Sequence, residues 1–197
     1  MPSLTHDPQQ NTAFLTREKF RALEGGGLLG EGRFELLQGE TSRLRLSELR
    51  CYVGTHLLWA LEKGVDWQHL RVFGSLAVDD FSELQPDIGV TKMPGKEYLK
   101  TGIPPGSEFR LVVEVSDSTL WRDKGQKARL YATAGVPEYW VVNLTGRTVI
   151  VHRRPVGEDY QSIVTYNENE SISPEAAPEH VIALAEIFPP VESNPDA

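Results

Sequence analysis

Residues 109–116 of the chain read Phe109-Arg110-Leu111-Val112-Val113-Glu114-Val115-Ser116. Such a run of β-branched and apolar residues is typical of a central strand that is covered on both faces of a sheet. The run nevertheless carries a carboxylate, Glu114, near its end. Because an unpaired charge is expensive to bury, Glu114 requires an ion pair, an edge position or a bound cation. We therefore predict a core strand that also positions an acidic group.

The segments around this strand predict a mixed α/β architecture. A short strand is expected from Pro86 to Thr91, and a hairpin over residues 138–143 and 147–153. Between them we expect a long helix over residues 119–134, which ends at Gly135-Val136-Pro137. Since some strands cross over through a helix and others form hairpins, we predict an α/β fold with a mixed β-sheet flanked by helices.

The region before residue 86 adds further elements. Two helices are expected, over residues 16–23 and 47–63, each with a Thr or Ser at its N-cap. Strands are expected at residues 33–38, near 43–46 and at 71–78. Apolar positions of the second helix predict a broad buried stripe, formed by Leu49, Val53, Leu57, Trp59, Ala60 and Leu61.

The length of 197 residues suits one domain with a substantial core. We expect this single domain to extend over residues 14–190. Residues 1–13 are polar, and residues 191–197 are acidic and contain no Lys or Arg. Both ends are therefore expected to be flexible.

The formal net charge of -8 is unusual for a protein that binds nucleic acid, because phosphate contacts need Lys and Arg. The acidic residues are concentrated near the C-terminus, however. Residues 160–197 contain seven Asp and Glu and no Lys or Arg, so residues 1–159 carry a net charge of only -1. This larger part of the chain can present a local basic face.

Cysteine usage and hydropathy predict the setting of the protein. Cys51 is the single cysteine, so the chain has no pair for an internal disulfide or a Cys-x-x-Cys zinc site. Residues 1–10 lack the pattern of a signal peptide, and no apolar stretch reaches the roughly eighteen residues that a membrane span needs. We expect a cytoplasmic protein without membrane association.

Asp87 is the second acidic residue of interest, because Pro86 places it at the start of a strand expected beside residues 109–116. Two carboxylates on adjacent strands suit Mg²⁺ or Mn²⁺, hard cations that take few protein oxygens and keep several waters. Each acid alone has a simpler interpretation, an ion pair for Glu114 and a turn or strand start for Asp87. Together they predict a divalent-metal site.

The helix after the strand directs further polar groups toward this site. Asp123, Lys127 and Tyr131 are spaced four residues apart and therefore share one helical face. A lysine beside a metal can orient the attacking water or stabilise charge on a phosphate. The alternative is an Asp123–Lys127 surface pair, worth only about 0.3 to 0.5 kcal/mol.

The same helix carries basic and aromatic side chains that suit a nucleic acid. Arg122, Lys124 and Arg129 add positive charge beside Lys127. These basic side chains could contact phosphates or simply form a solvated face. Three nearby aromatic residues could stack on bases, namely Trp121, Tyr139 and Trp140. Because Tyr139 and Trp140 belong to an expected strand, we predict that these two lie in the core.

These residues together resemble the Uma-two (Uma2) family of restriction endonucleases, which belongs to the PD-(D/E)XK nuclease superfamily. The resemblance covers most of the chain. It includes Arg33-Phe34-Glu35-Leu36, Pro86-Asp87, Val113-Glu114-Val115-Ser116 and Asp123 with Lys127 and Tyr131. Its most specific run is Gly135-Val136-Pro137-Glu138-Tyr139-Trp140-Val141-Val142.

The resemblance implies a fold, an activity and a set of site residues. The implied fold is restriction-endonuclease-like, and the implied activity is Mg²⁺- or Mn²⁺-dependent hydrolysis of DNA. Asp87 and Glu114 are implied as metal ligands, Glu35 as an auxiliary acid and Lys127 as the lysine of the motif. Superfamily enzymes that cut both strands often pair their active sites. A homodimer and a monomer are therefore the two alternatives for this chain.

The chain departs from the family pattern in two places. Ser116 stands two residues after Glu114, where superfamily members typically carry a lysine, and in this family that lysine comes from the following helix. Many relatives also have a Met-Ser-Pro-like turn and a histidine before the second helix. Here this segment reads Leu44-Arg45-Leu46-Ser47, and His56 lies inside the helix, where we expect it to pack and not to bind metal.

Three hypotheses on function follow. The first is a metal-dependent endonuclease, and the second is a catalytically silent nuclease-fold protein that binds a partner or nucleic acid. The third is a carboxylate-pair hydrolase such as a glycosidase, with Asp87 and Glu114 as acid and base. An aromatic-lined groove around the two acids would favour the third.

Overall fold

The computed structural model describes residues 14–190, and the ends that we expect to be flexible, 1–13 and 191–197, lie outside the described residues. The helices are α1 (Arg17–Gly25), α2 (Glu48–Glu62), α3 (Tyr98–Thr101), α4 (Leu120–Arg122) and α5 (Ala128–Thr133), with a π-helical turn at Asp123–Lys127 between α4 and α5. The strands are β1 (Arg33–Leu37), β2 (Glu40–Leu44), β3 (Leu70–Val72), β4 (Leu76–Asp79), β5 (Ser82–Leu84), β6 (Ile88–Thr91), β7 (Phe109–Ser116), β8 (Glu138–Asn143), β9 (Thr148–Val156), β10 (Asp159–Asn167), β11 (Ser171–Ile172) and β12 (Ile182–Ala183).

Strand β7 lies inside a six-stranded sheet of order β10-β9-β8-β7-β6-β3. It pairs parallel with β8 and antiparallel with β6. All of its residues except Arg110 are buried, as expected of a strand that is covered on both faces. The crossover from β7 to β8 runs through α4, the π turn and α5, since a parallel pair needs a long connection. The predicted mixed sheet is confirmed.

Helices cover both faces of this sheet. Alternate residues of β7 point to opposite faces, so Val113 packs with Leu57 of α2, whereas Val112 packs with Tyr131 of α5. Glu114 has the same parity as Val112 and therefore projects toward the side of α5. The alternation of the strand thus directs its carboxylate toward the face that α5 covers.

A second, four-stranded sheet of order β2-β1-β5-β4 carries Glu35. Strand β1 pairs with β2 over its whole length and with β5 through Leu36 and Glu83. The predicted strand at 71–78 is in fact two strands, one in each sheet, because Phe73 adopts a positive φ of 55° and Gly74 follows it. Strand β5 was not predicted, because its three residues are too few to show an alternating pattern.

Two further predictions about helices require correction. Within the predicted stripe of α2, Leu49 is 40% exposed and Trp59 is 57% exposed, and only the remaining four positions are buried. The predicted continuous helix at 119–134 is interrupted by the π turn, a feature that is frequent at functional sites. Thr16 and Ser47 do cap α1 and α2, accepting hydrogen bonds from the backbone N–H groups of Lys19 and Arg50.

His152 of β9 makes the stability of the fold sensitive to acid. Its side chain is buried between Tyr139 and Tyr160, and burial lowers its pKa below the ordinary value of 6.5. The unfolded chain therefore takes up a proton on this residue more readily than the folded protein. We expect the free energy of unfolding to decrease as the pH falls below about 6.5.

Urea unfolding of the wild type and of His152→Gln between pH 7 and 5 checks this expectation. The loss of stability on acidification should be smaller in the variant, because its residue 152 does not titrate. Comparing the two pH profiles removes the contributions of all other groups. Parallel profiles would exclude His152 as the source.

Candidate active site

Asp87 and Glu114 converge at the junction of β6 and β7. The antiparallel register pairs Ile88 with Val113, so Asp87 comes opposite Glu114. Nη2 of Arg50 lies 2.8 Å from Oδ2 of Asp87 and 3.7 Å from Oε2 of Glu114. These two oxygens are therefore at most 6.5 Å apart, the sum of the two distances. The pair predicted from the sequence lies on one side of the sheet.

Lys127 links Glu114 to the second sheet. Its Nζ is 2.8 Å from Oε1 of Glu114 and 2.9 Å from Oε2 of Glu35. The Tyr131 hydroxyl donates a 2.6 Å hydrogen bond to the same Oε1 of Glu114. The structure thus brings together all four candidate site residues, Glu35, Asp87, Glu114 and Lys127. Ser116, at the usual position of the motif lysine, is fully buried. The ammonium group beside Glu114 belongs instead to Lys127 of the π turn.

Arg50 of α2 is a central residue of this cluster that the sequence analysis missed. Its guanidinium contacts both carboxylate oxygens of Asp87, with nitrogen–oxygen distances of 2.8 to 3.1 Å. The backbone N–H of Val115 donates a further hydrogen bond of 2.6 Å to Oδ2 of Asp87. Arg50 lies in the first turn after Ser47. The Ser47 cap shows where the helix begins, but the sequence does not show what the arginine contacts.

Asp123 adds a fourth buried acid at the start of the π turn. Its Oδ2 accepts a 2.6 Å hydrogen bond from the Thr119 hydroxyl, and its exposed fraction is 3%. The Asp123–Lys127 surface pair considered above is therefore wrong, because both side chains are buried. The π turn contains both residues and ends where α5 begins with Ala128. This helix face supplies an acid, an ammonium group and the Tyr131 hydroxyl.

The cluster contains more negative than positive charge. Glu35, Asp87, Glu114 and Asp123 are buried acids, whereas the basic groups that contact them are Arg50 and Lys127, so the formal sum is -2. Burial raises the pKa values of Glu35, Asp87 and Asp123, and the charge of Glu114 raises them further. A divalent cation would neutralise this excess.

The electrostatic environment keeps Lys127 charged. Burial alone lowers its pKa, but Glu114, Glu35 and Asp123 outweigh that effect and raise the pKa above its ordinary value. Tyr131 has its pKa raised by burial and by Glu114, so its hydroxyl remains a proton donor to the carboxylate. Lys127 therefore acts as a fixed positive charge and Tyr131 as a neutral hydrogen-bond donor.

A cavity of about 450 Å³ leads to the cluster. Arg50 and Lys127 form part of its wall and separate it from Asp87 and Glu114, which do not line it. The other lining residues come mainly from two loops and their flanking elements, namely Glu35, Ser42, Arg43, Leu44, Arg45, Leu46, Ser47, Asp117, Ser118, Thr119, Arg122 and Asp123. None of these lining residues is aromatic, so the cavity gives no support to a glycosidase.

The donor set fits a hard divalent cation with few protein ligands. Among residues 14–190, no three His, Cys, Asp or Glu side chains converge into a ready metal cage. Asp87 and Glu114 offer carboxylate oxygens on one side of the sheet, and Mg²⁺ is commonly held by one or two carboxylates with several waters. Arg50 lies between these oxygens, so its guanidinium must move away when a cation binds there.

The aromatic residues near the site differ sharply in exposure. Tyr139 and Trp140 are fully buried, as predicted, whereas Trp121 is 73% exposed. His56 stacks on Tyr52 and lies outside the acidic cluster, in agreement with the prediction that it packs. Within the described part of the chain, no helix has the length and apolar character needed to cross a membrane.

Comparisons with known proteins agree with this architecture. A crystal structure from Anabaena variabilis ATCC 29413, described as "a putative nuclease belonging to DUF820", matches with a TM-score of 0.64 and 15% identity. The match covers 88% of this chain and 97% of the other, and at this identity it shows the fold alone. A comparison with curated proteins gives no match.

A family model described as "Uma2: Putative restriction endonuclease" matches residues 17–185. This range includes β1 to β12 and every candidate site residue. The family resemblance seen in the sequence motifs is thereby confirmed. The chain belongs to the Uma2 family of restriction-endonuclease-like proteins.

Proposed function

We propose that the protein is a divalent-metal-dependent endonuclease that hydrolyses phosphodiester bonds in DNA. The observation that carries this proposal is the cluster of four buried carboxylates, with an excess of negative charge, beside a cavity lined by arginines. The family description supports a nuclease, and the site chemistry favours a metal. A cytoplasmic setting is part of the proposal and agrees with the single cysteine.

In this proposal Asp87 and Glu114 hold Mg²⁺ or Mn²⁺. Oδ2 of Asp87 is fixed by the Val115 N–H, and Oε1 of Glu114 is fixed by Lys127 and Tyr131. These contacts leave Oε2 of Glu114 and Oδ1 of Asp87 for the cation once Arg50 withdraws. When bound, such a metal supplies Lewis-acid polarisation of the phosphate and lowers the pKa of an attacking water.

Lys127 stabilises negative charge at the reacting phosphate. Lys127 lines the cavity, and its ammonium group is held by Glu114 and Glu35 at 2.8 and 2.9 Å, so it is already oriented before substrate binds. A preoriented charge in a water-poor site stabilises developing charge more strongly than one in solvent. Glu35 acts as the auxiliary acid that positions this lysine.

Arginines at the cavity bind the phosphate backbone. Nη1 of Arg122 donates a 2.7 Å hydrogen bond to the Ser42 hydroxyl. The buried Nε of Arg122 has no hydrogen-bond partner among the described atoms. Arg50, once displaced from Asp87, lies on the cavity wall and can turn toward a phosphate oxygen. Arginine suits this task because its planar group can donate two hydrogen bonds to one phosphate.

Two observations favour a second function, binding without cleavage. Ser116 occupies the usual place of the motif lysine, and Arg50 already neutralises Asp87. In a silent protein the guanidinium would act as a permanent substitute for the metal. The two functions differ in whether the site binds a divalent cation.

Calorimetry with Mn²⁺ and a cleavage assay test the proposal. We expect Mn²⁺ to bind with a stoichiometry of one or two per chain, and DNA, offered both as a single strand and as a duplex, to be cut in at least one form with Mg²⁺ or Mn²⁺ but not with EDTA. Size-exclusion chromatography of the same sample distinguishes a monomer from a homodimer. The absence of Mn²⁺ binding at millimolar concentration would favour the silent binder.

A further inference from the structure

Two acids of the cluster, Glu35 and Asp123, line the cavity described above, whereas Asp87 and Glu114 lie behind its wall. Asp87 and Glu114 are 4% and 1% exposed, and Arg50 and Lys127 lie between them and the cavity. A volume of about 450 Å³ lies in the lower part of the range of about 300 to 1,000 Å³ for pockets that enclose a small ligand. It is of a size that suits one small ligand such as a single nucleotide.

Trp121 is next in sequence to the wall of this cavity. Ser118, three residues earlier, and Arg122, the next residue, both line the cavity, although Trp121 itself is not a lining residue. The indole is 73% exposed, and the Arg122 guanidinium lies 5.9 Å from the centroid of its ring. An exposed indole beside an arginine is the combination on which unpaired bases stack.

The distribution of charge also disfavours an intact duplex. Duplex binders commonly neutralise many phosphates along both strands, whereas residues 1–159 carry a net charge of only -1. The cavity is lined by arginines that include Arg43, Arg45 and Arg122. Because they lie around one cavity, they can contact only a few neighbouring phosphates. A single strand needs fewer phosphate contacts because base stacking adds to the affinity.

We propose that the protein binds single-stranded DNA, with an unpaired base stacked on Trp121 and its neighbouring phosphate inside the cavity. Arg122 serves both parts, because its guanidinium lies 5.9 Å from the ring centroid of Trp121 and the residue lines the cavity. The inference rests on the proposed nuclease function for the use of this site. It specifies the substrate class, an unpaired strand instead of paired DNA.

Fluorescence anisotropy tests this binding without catalysis. A labelled single-stranded oligonucleotide and the same sequence as a blunt duplex are titrated in EDTA with the wild type, Trp121→Ala and Trp67→Ala. Trp67 is the matched control, since it is 67% exposed and, unlike Trp121, has no neighbour in sequence that lines the cavity. Circular dichroism verifies that both variants fold.

We expect the wild type to bind the single strand at least about tenfold more tightly than the duplex. Trp121→Ala should weaken single-strand binding about fivefold to a hundredfold, and Trp67→Ala should leave it unchanged. Duplex binding that equals or exceeds single-strand binding would overturn the proposal, as would unchanged affinity in Trp121→Ala.

The cleavage assay separates this inference from the proposed function. Metal-dependent cleavage without a single-strand preference would refute the inference and leave the nuclease intact. A single-strand preference that depends on Trp121, in a protein that cuts no DNA, would refute the nuclease and support the binding site.

Discussion

Replacement of Asp87 by asparagine is expected to reduce metal-dependent DNA cleavage about a thousandfold or more. The substitution removes one of the two charged ligands that we propose for the cation, whose stabilisation of the transition state is worth several kcal/mol. Steady-state cleavage in Mg²⁺ measures the loss, and calorimetry should show a parallel loss of Mn²⁺ binding. Asn keeps the shape of Asp and can still accept a hydrogen bond from the Val115 N–H.

Asp87→Ala should show the same loss of activity with a greater loss of stability, because it leaves Arg50 without its main partner. Asp159→Asn is the matched control, since Asp159 is exposed at the start of β10 in an edge strand. Undiminished cleavage by a folded Asp87→Asn protein would refute the assignment of Asp87 as a metal ligand.

Replacement of Lys127 by methionine is expected to lower the free energy of unfolding by about 3 to 5 kcal/mol. The change leaves Glu35 and Glu114 buried without their shared cation, and loss of one partner of a buried ion pair has a cost of this size. For a chain of this length, the melting temperature should fall by roughly 10 °C. Chemical denaturation and thermal melts measure the two quantities.

A second variant separates the ion pair from simple packing. Addition of Glu35→Gln to Lys127→Met should recover part of the lost stability, because one unpaired charge disappears. Lys100→Met is the matched control, since Lys100 and its partner Glu97 are exposed, and surface pairs contribute little. A stability of Lys127→Met equal to that of the wild type would show that the buried cluster does not depend on its lysine.

Local patterns were sufficient to predict the central strand and part of the site. Residues 109–116 identified β7, and Pro86 located the acid that pairs opposite Glu114. The four-residue spacing of Asp123, Lys127 and Tyr131 placed these groups on one face, although the π turn changes the helix that carries them. Such patterns succeed because strand alternation and helix periodicity are properties of consecutive residues.

Contacts between distant segments could not be predicted in the same way. Glu35 was nominated only by resemblance, because its contact with Lys127 depends on how the four-stranded sheet lies beside the helix. Arg50 was missed, since a helical arginine near an N-cap usually faces solvent, and its partner Asp87 is 37 residues away. The exposure of Trp59 was missed because periodicity shows an apolar face and not whether anything covers it.

Arg50 and Lys127 provide the acidic cluster with internal counter-ions. Small metalloproteins whose ligands lack such partners often remain unfolded until the ion arrives. Here the polypeptide supplies two positive charges of its own against four negative ones, so the cluster assembles while the chain folds. The supply of divalent ions would then govern when the protein works, and not whether it reaches its native state.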